Sequence, residues 1–372
     1  MIWRTCAGAL VALVLLVGTF VVGGYLVLVE VADDFGDDFG CSGIEGGGSV
    51  RFVDRAADGL SDNRGSTPSL VVTGHALIEP TARIALAQPA GTQSVIYPGA
   101  GVSLDPGGRY LIVYEGATQQ LVLDLLDDRV VAEISGDASD FVFTRPGRGV
   151  LFSGAPGCRF GGAQKVDFDV GSSRPFEVDG LKDQIQPRAV VADTIVADGV
   201  VPSGSGWTND GVVSVDLATG QATTIASSGH LVTTSATPAR LWVRDGDTTR
   251  VLDLSGSELS RSSEVGSAVG LPNGTVAYTG AYESGSSAIR LAAADGPAAA
   301  DPVVADRTSV SSLREGPVPG TLIVGWLDEI AQRGGYEVCD LATAQCQVVF
   351  EAETGTLLQV PLGLLSAPLT HR

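Results

Sequence analysis

The sequence predicts an all-β repeat domain carried behind one N-terminal transmembrane helix. Three observations support this. An uncharged apolar run occupies residues 6–29. The remainder holds most of the 49 glycines, is rich in valine, isoleucine and threonine, and shows no long stretch of helical apolar spacing. A strand, turn and strand motif then recurs at a regular period.

Residues 1–5 form a short N-terminus expected in the cytoplasm. Cys6 to Val29 carries no charge and exceeds the roughly 20 residues that a bilayer core requires. A cleavable signal peptide usually has an apolar core of about 7 to 15 residues followed by a small-x-small site, whereas Glu30 and Val31 stand where cleavage would fall. The comparison favours a retained anchor. Arg4 precedes the span, and Glu30, Asp33, Asp34, Asp37 and Asp38 follow it, so the bulk of the chain is expected outside the cell membrane. Cys41, Cys158, Cys339 and Cys346 lie beyond the span, an even number that suits an oxidising compartment.

A net charge of -20, with Lys165 and Lys182 as the only lysines, disfavours phosphate backbones and excludes nucleic acid as a partner. Residues 30–68 are rich in Asp, Gly and Ser, with DDFGDDFG at 33–40 and EGGGS at 45–49, and read as an acidic linker. The calcium-loop pattern with its downstream Glu is absent there.

The repeat domain is expected over residues 69–365, with 366–372 as a tail. Its clearest copies are QLVLDLLDDRVVAEI at 120–134, KVDFDVGSSRPFEV at 165–178, VVSVDLATGQATTI at 212–225, RVLDLSGSELS at 250–260 and YEVCDLATAQCQVVF at 336–350, with a degenerate AIRLAAADGP at 288–297. Aligning strand ends gives Asp124, Asp169, Asp216, Asp253, Ala292 and Asp340. The mean separation is about 43 residues, the length of a four-stranded β-propeller blade. Most copies follow a tight turn and an apolar strand: SLDPGGRYLIVYE, FTRPGRGVLFSG, TPARLWVRDGD, LPNGTVAYTG and PVPGTLIVGWLDE. Three strand-like runs before residue 100, SLVVTGHALIE, ARIALAQ and QSVIYP, together with the C-terminal GTLLQVPLGLL, supply a last blade that leaves no sheet edge open. That favours seven blades over six.

SLDPGGRYLIVYE followed by QLVLDLLDDRVVAEI resembles the serine-proline-aspartate-glycine and aspartate-leucine-threonine-glycine repeats of WD-like, YVTN-type and Tol-Pal-type propellers. The Trp-Asp dipeptide of true WD repeats is missing from every copy, and Gly74-His75 and Gly229-His230 are not periodic. The resemblance points to a superfamily and to no single family.

Few residues suggest chemistry. Cys339 and Cys346 flank the turn DLATAQ and face each other if Ala342 and Thr343 form a two-residue loop. If the hairpin instead keeps the glycine-type bulge of VDLATGQAT, they point to opposite faces. Ala344, standing where that copy has Gly220, favours the tighter turn. Cys41 with Cys158 is the remaining candidate pair. No C-x-x-C spacing and no G-x-S-x-G elbow with a credible downstream histidine occurs, and His75, His230 and His371 are too scattered to predict a metal site. SLDPGGRY partly matches the box of sialidase-like propellers but lacks its tryptophan, and reads as a turn. Arg244 to Asp247 reads as a hairpin tip, Asn273-Gly274-Thr275 as a turn, and Trp207, Trp242 and Trp326 as blade packing rather than a ligand channel.

These readings predict no catalytic, metal or cofactor residues. They predict an anchored, extracytoplasmic binding or scaffolding module that meets the bilayer through residues 6–29 and takes an envelope or extracellular protein or glycan as partner. The alternative is an envelope-facing propeller enzyme, carbohydrate- or peptide-active or quinone-dependent. Protease added to intact cells is expected to cut the C-terminal part and spare the N-terminus; the reverse pattern overturns the outward orientation.

Overall fold

The computed structural model describes residues 48–57, 70–76, 83–87, 93–97, 101–115, 119–135, 140–153, 161–181, 185–203, 206–263, 265–280, 288–296, 303, 310–316, 319–328, 333–353 and 359–366. Among them regular structure is strand only, and no helix is long and apolar enough to cross a membrane. The expected span at 6–29, Cys41, Cys158 and His371 lie outside the described residues.

The strands run in chain order. β1 (Ser49–Ala56) is followed by β2 (Leu70–Ala76), β3 (Arg83–Ala87) and β4 (Gln93–Tyr97). Next come β5 (Gly101–Leu104), β6 (Tyr110–Glu115), β7 (Gln119–Asp124) and β8 (Arg129–Ser135), then β9 (Asp140–Arg145), β10 (Arg148–Ser153), β11 (Gly162–Asp167) and β12 (Ser172–Phe176). β13 (Ile185–Val191), β14 (Thr194–Ser203), β15 (Gly206–Asp216) and β16 (Ala222–Ala226) precede β17 (His230–Ala236), β18 (Ala239–Asp245), β19 (Thr248–Leu252) and β20 (Glu258–Ser262). The chain ends with β21 (Ala268–Gly270), β22 (Thr275–Thr279), β23 (Ile289–Ala293), β24 (Val310–Glu315), β25 (Thr321–Asp328), β26 (Arg333–Asp340), β27 (Gln345–Glu353) and β28 (Gln359–Ser366).

They form seven antiparallel sheets. The first is β1-β8-β7-β6-β5, and the second to fourth take four consecutive strands each, β9–β12, β13–β16 and β17–β20. The fifth holds β21–β23, the sixth β24–β27, and the seventh is ordered β28-β2-β3-β4. The N-terminal strands and the C-terminal strand therefore share one sheet, with Val71 opposite Leu365 and His75 opposite Val360. Two sheets depart from the expected four strands. The first gains β1, drawn from within the segment read as linker, because its backbone pairs the otherwise open edge of β8. The fifth has three strands among the described residues.

Successive sheets bury their faces on each other. Tyr110, Ile112, Val122 and Ile134 of the first sheet close on Phe143, Leu151 and Val166 of the second. The other face of the second presents Val150, Phe152 and Phe176 to Ile185, Ile195 and Val215 of the third. Val196 and Val212 then meet Leu241 and Val243; Trp242 and Val251 meet Val276 and Tyr278; and Ala277 and Ile289 meet Leu322 and Val324. The first strands touch in sequence, β5 with β9, β9 with β13, and onward to β24, while β28 touches both β5 and the sixth sheet. This is the arrangement of a β-propeller.

The periodic aspartate has a local cause. The Asp124 carboxylate accepts the Leu126 amide at 3.0 Å, Asp216 accepts Ala218 and Thr219 at 2.9 and 2.7 Å, Asp253 accepts Ser255 at 2.8 Å, and Asp340 accepts Ala342 and Thr343 at 2.9 and 2.8 Å. Each is a side-chain-capped turn between the third and fourth strands of its sheet. In the second sheet the equivalent residue is Asp167, which accepts the Val170 amide at 3.1 Å, and not Asp169. The sequence VDFDV offers two aspartates on one face of a strand, and the alternating pattern does not choose between them.

Trp242 is wholly buried, and its indole N–H donates to the Ala294 carbonyl of the next sheet at 3.0 Å. Trp242→Ala is expected to lose about 3–5 kcal/mol of stability and Trp242→Phe about 1–2 kcal/mol, read from denaturant unfolding. A negligible loss in Trp242→Phe would mean that the hydrogen bond between sheets contributes nothing.

Candidate functional site

A cleft of about 660 Å³ opens between the second and third sheets. Its walls come from four turns on one rim of the ring: β9 to β10, β11 to β12, β13 to β14 and β15 to β16. Cross-strand register explains its chemistry. Phe152, Ala163 and Phe176 stand in one row across β10, β11 and β12 and pack into the core. The next row outward is Val150, Lys165 and Arg174, and the row beyond it Arg148, Asp167 and Ser172. The same sheet face thus passes from apolar to cationic as it leaves the core.

The charges are held in place. Arg148 pairs with Asp167 at 2.7 Å, and Arg145 crosses to Asp193 of the third sheet at 3.0 Å. The Lys165 ammonium donates to the Leu217 carbonyl at 2.6 Å and sits 4.0 Å from the centre of the Phe176 ring. Burial, with Arg174 beside it, pulls Lys165 below the ordinary lysine range. Arg174 is exposed, and among the described residues no carboxylate pairs with it.

A second charged group lies where the first strands converge. Arg188 occupies a bulge in β13, the irregularity falling between Pro187 and Ala189, and its guanidinium donates to Asp198 at 2.8 Å. Asp198, fully buried, also accepts the Leu231 amide of the fourth sheet at 2.6 Å. Asp140, at the start of β9, has its carboxyl pushed up to about 6 by burial, partly opposed by Arg188.

A third network is a strut. Buried Asp105, in SLDPGGRY, accepts the Gly107 amide at 3.0 Å and reaches Gly147 of the second sheet at 2.8 Å. Gly147 has φ of 69° and a Cβ there would lie 2.4 Å from the Asp169 carboxylate. Arg109 donates to Asp124 at 2.7 Å and Asp169 at 3.3 Å, and the Tyr110 hydroxyl donates to Asp169 at 2.8 Å. The misaligned Asp169 is thus a bridge between sheets, and burial and that hydrogen bond raise the Tyr110 phenol.

Cys339 and Cys346 are bridged, S–S 2.05 Å, and stand directly opposite across β26 and β27. The turn is not the tight loop expected. Asp340 pairs with Gln345, leaving four residues between, and Ala344 takes the left-handed φ of 56° that Gly220 takes at 78°. The two hairpins share one turn, and the register shift falls farther along, between Tyr336 and Glu337 and between Val212 and Val213, so it does not separate the cysteines. Glu337 lies beside the two sulfurs, but bridged sulfurs are not thiolate ligands, so no metal site is read there.

His230 is exposed, and the side chains of His75 and Trp207 are not among those described. Arg244 donates to the Val265 and Gly266 carbonyls of the fifth sheet, while Gly246 and Asp247 turn the hairpin. Asn273 caps its own turn through the Thr275 amide at 3.1 Å. No motif in the sequence marks the cleft. The available signal was the density of cations between residues 145 and 174 in a strongly acidic chain.

No protein-family model and no curated protein sequence matches the chain. Among solved structures it is similar to the computationally designed Ika8 protein, at 12% identity and TM-score 0.44, over 82% of this chain and 92% of that one. It is similar to apo AztD from Citrobacter koseri at 12% and 0.45, over 80% and 96%. It is also similar to oligogalacturonate lyase from Vibrio parahaemolyticus at 12% and 0.49, over 82% and 86%. The fold stands on the strand pairing and face packing described above, and the site on its own residues.

Asp140 gives a pH prediction. An unfolded aspartate titrates near 4 and the native one at about 6. Native ionisation therefore costs stability that grows between these values and stays constant above them. Asp140→Asn is expected to stabilise by about 3 kcal/mol at pH 7.5 and by almost nothing near pH 3.5. Unfolding midpoints at the two pH values check it, and a pH-independent effect contradicts it.

Proposed function

We propose that this chain is a membrane-anchored, extracytoplasmic β-propeller that works as a binding module, presenting the cleft between its second and third sheets to an envelope or extracellular ligand. The anchor and the outward orientation rest on the uncharged run at 6–29 and its flanking charges. The observation that supports binding is the cleft itself, where Arg145, Arg148, Lys165 and Arg174 gather in a chain of net charge -20. Guanidinium groups stay charged at any working pH, so three of these four residues supply fixed charge and hydrogen-bond donors rather than proton transfer.

A second reading, a propeller enzyme acting on envelope carbohydrate or peptide, draws on Asp140. A carboxyl poised at about 6 beside Arg188 suits general acid or base work. Turnover of such a substrate, abolished by Asp140→Asn, would replace the binding reading.

Binding is tested by thermal unfolding of the full chain in detergent against envelope glycans and peptides. A cleft ligand at ten times its Kd is expected to raise the midpoint by about 2–4 °C, and Arg145→Glu with Arg174→Glu to remove the rise. A rise that survives the double variant places binding elsewhere and overturns the cleft assignment.

A further inference from the structure

We infer that the cleft receives a phosphomonoester group, clasped between Lys165 and Arg174. The inference rests on the binding-module reading and narrows it to one ligand chemistry.

Lys165 and Arg174 are directly opposed partners in the β11–β12 ladder. Opposed residues have Cβ atoms about 4.5–5.5 Å apart, and like charges so placed repel. The other two cations of the cleft each have a carboxylate, Asp193 for Arg145 and Asp167 for Arg148. Among the described residues Lys165 meets a neutral carbonyl and an aromatic ring, apart from the more distant attraction of Asp216, and Arg174 pairs with no carboxylate. Among the described residues the cleft therefore holds two adjacent positive charges without a paired anion. Both line the cleft, the Lys165 ammonium resting on the Leu217 carbonyl and the Phe176 ring.

The spacing selects the ligand. Two cations rooted on facing residues are close enough for one dianion to bridge, and a phosphomonoester carries about -1.5 to -2 at a single centre near pH 7. A carboxylate carries one charge, so two would have to be held side by side. The guanidinium of Arg174 offers a planar fork to two phosphate oxygens, and Lys165 a point charge to a third. Ser172 and Ser173 at the rim add hydroxyl donors. A dianion between the two cations would also relieve the repulsion that, with burial, holds Lys165 low. Elsewhere the acidic surface repels such a ligand, which confines it to this cleft.

The probe is inorganic phosphate, titrated calorimetrically into the full chain in neutral detergent at fixed ionic strength. One saturable site per chain is expected, weakened about tenfold or more by Arg174→Gln and less by Arg174→Lys, while Arg290→Gln on β23 leaves it unchanged. Lack of saturable binding up to about 10 mM phosphate overturns the inference, as does equal affinity in Arg174→Gln or equal affinity for succinate. If phosphate fails while a neutral glycan still raises the unfolding midpoint in a manner that Arg145→Glu with Arg174→Glu removes, the phosphate inference falls and the binding module stands.

Discussion

The sheets of this chain bury their faces on one another, and the rest of the structure follows from that requirement. A single sheet with one solvated face would show strict alternation of apolar and polar residues. Here the middle strands do not alternate: Leu121 to Asp124 and Gly149 to Ser153 are buried without a break. Each apolar face finds its cover on the next sheet, so no sheet completes its core alone, and the series needs a partner for its first face and its last. The seventh sheet meets that need by joining β2, β3 and β4 to β28. The cost is a pairing between strands at opposite ends of the chain, whose loop-closure entropy is large and whose formation is correspondingly slow.

Polar contacts between sheets then fix what apolar stacking leaves loose, because stacked faces can slide. Asp105 on Gly147, Asp198 on Leu231 and Trp242 on Ala294 each tie a side chain of one sheet to the backbone of its neighbour. These bonds are directional and sit among buried residues, where a misplaced partner leaves an unsatisfied group. The charged residues that do not serve as ties stand out by contrast. At the second interface the row Val150, Lys165, Arg174 continues the sheet face past the end of the core, and the neighbouring sheet meets it with turns rather than with strands. A cleft opens where the faces diverge, and its charge is that of the sheet face that runs into it.

The edge of the first sheet shows the same economy. β1 is largely exposed and adds little core, but it pairs the backbone of β8 along its length. Arg51 and Arg55 both reach Glu133 across that ladder, holding its carboxyl below the ordinary range through the Arg51 hydrogen bond first. Covering an outer edge removes a row of free amides and carbonyls that would otherwise invite another strand. The residues that do this look like linker in sequence because Asp54, Arg51 and Arg55 are charged and exposed.

The sequence by itself determined the strand class, the period of about 43 residues and the closing sheet, because alternation, turn residues and unpaired end strands are local or countable features. It also determined that an aspartate recurs at strand ends, since a capped turn needs that residue at that place. It did not determine which of Asp167 and Asp169 does the capping, nor how the Cys339–Cys346 hairpin turns, because both depend on register and not on pattern. Only the tertiary structure brought the second and third sheets to opposite walls of one cleft. Arg145, Arg148, Lys165 and Arg174 sit on separate strands and turns, and their meeting is a matter of cross-strand partners and sheet stacking. Local pattern records which residue faces inward; which sheet it will face is decided only when the ring is built.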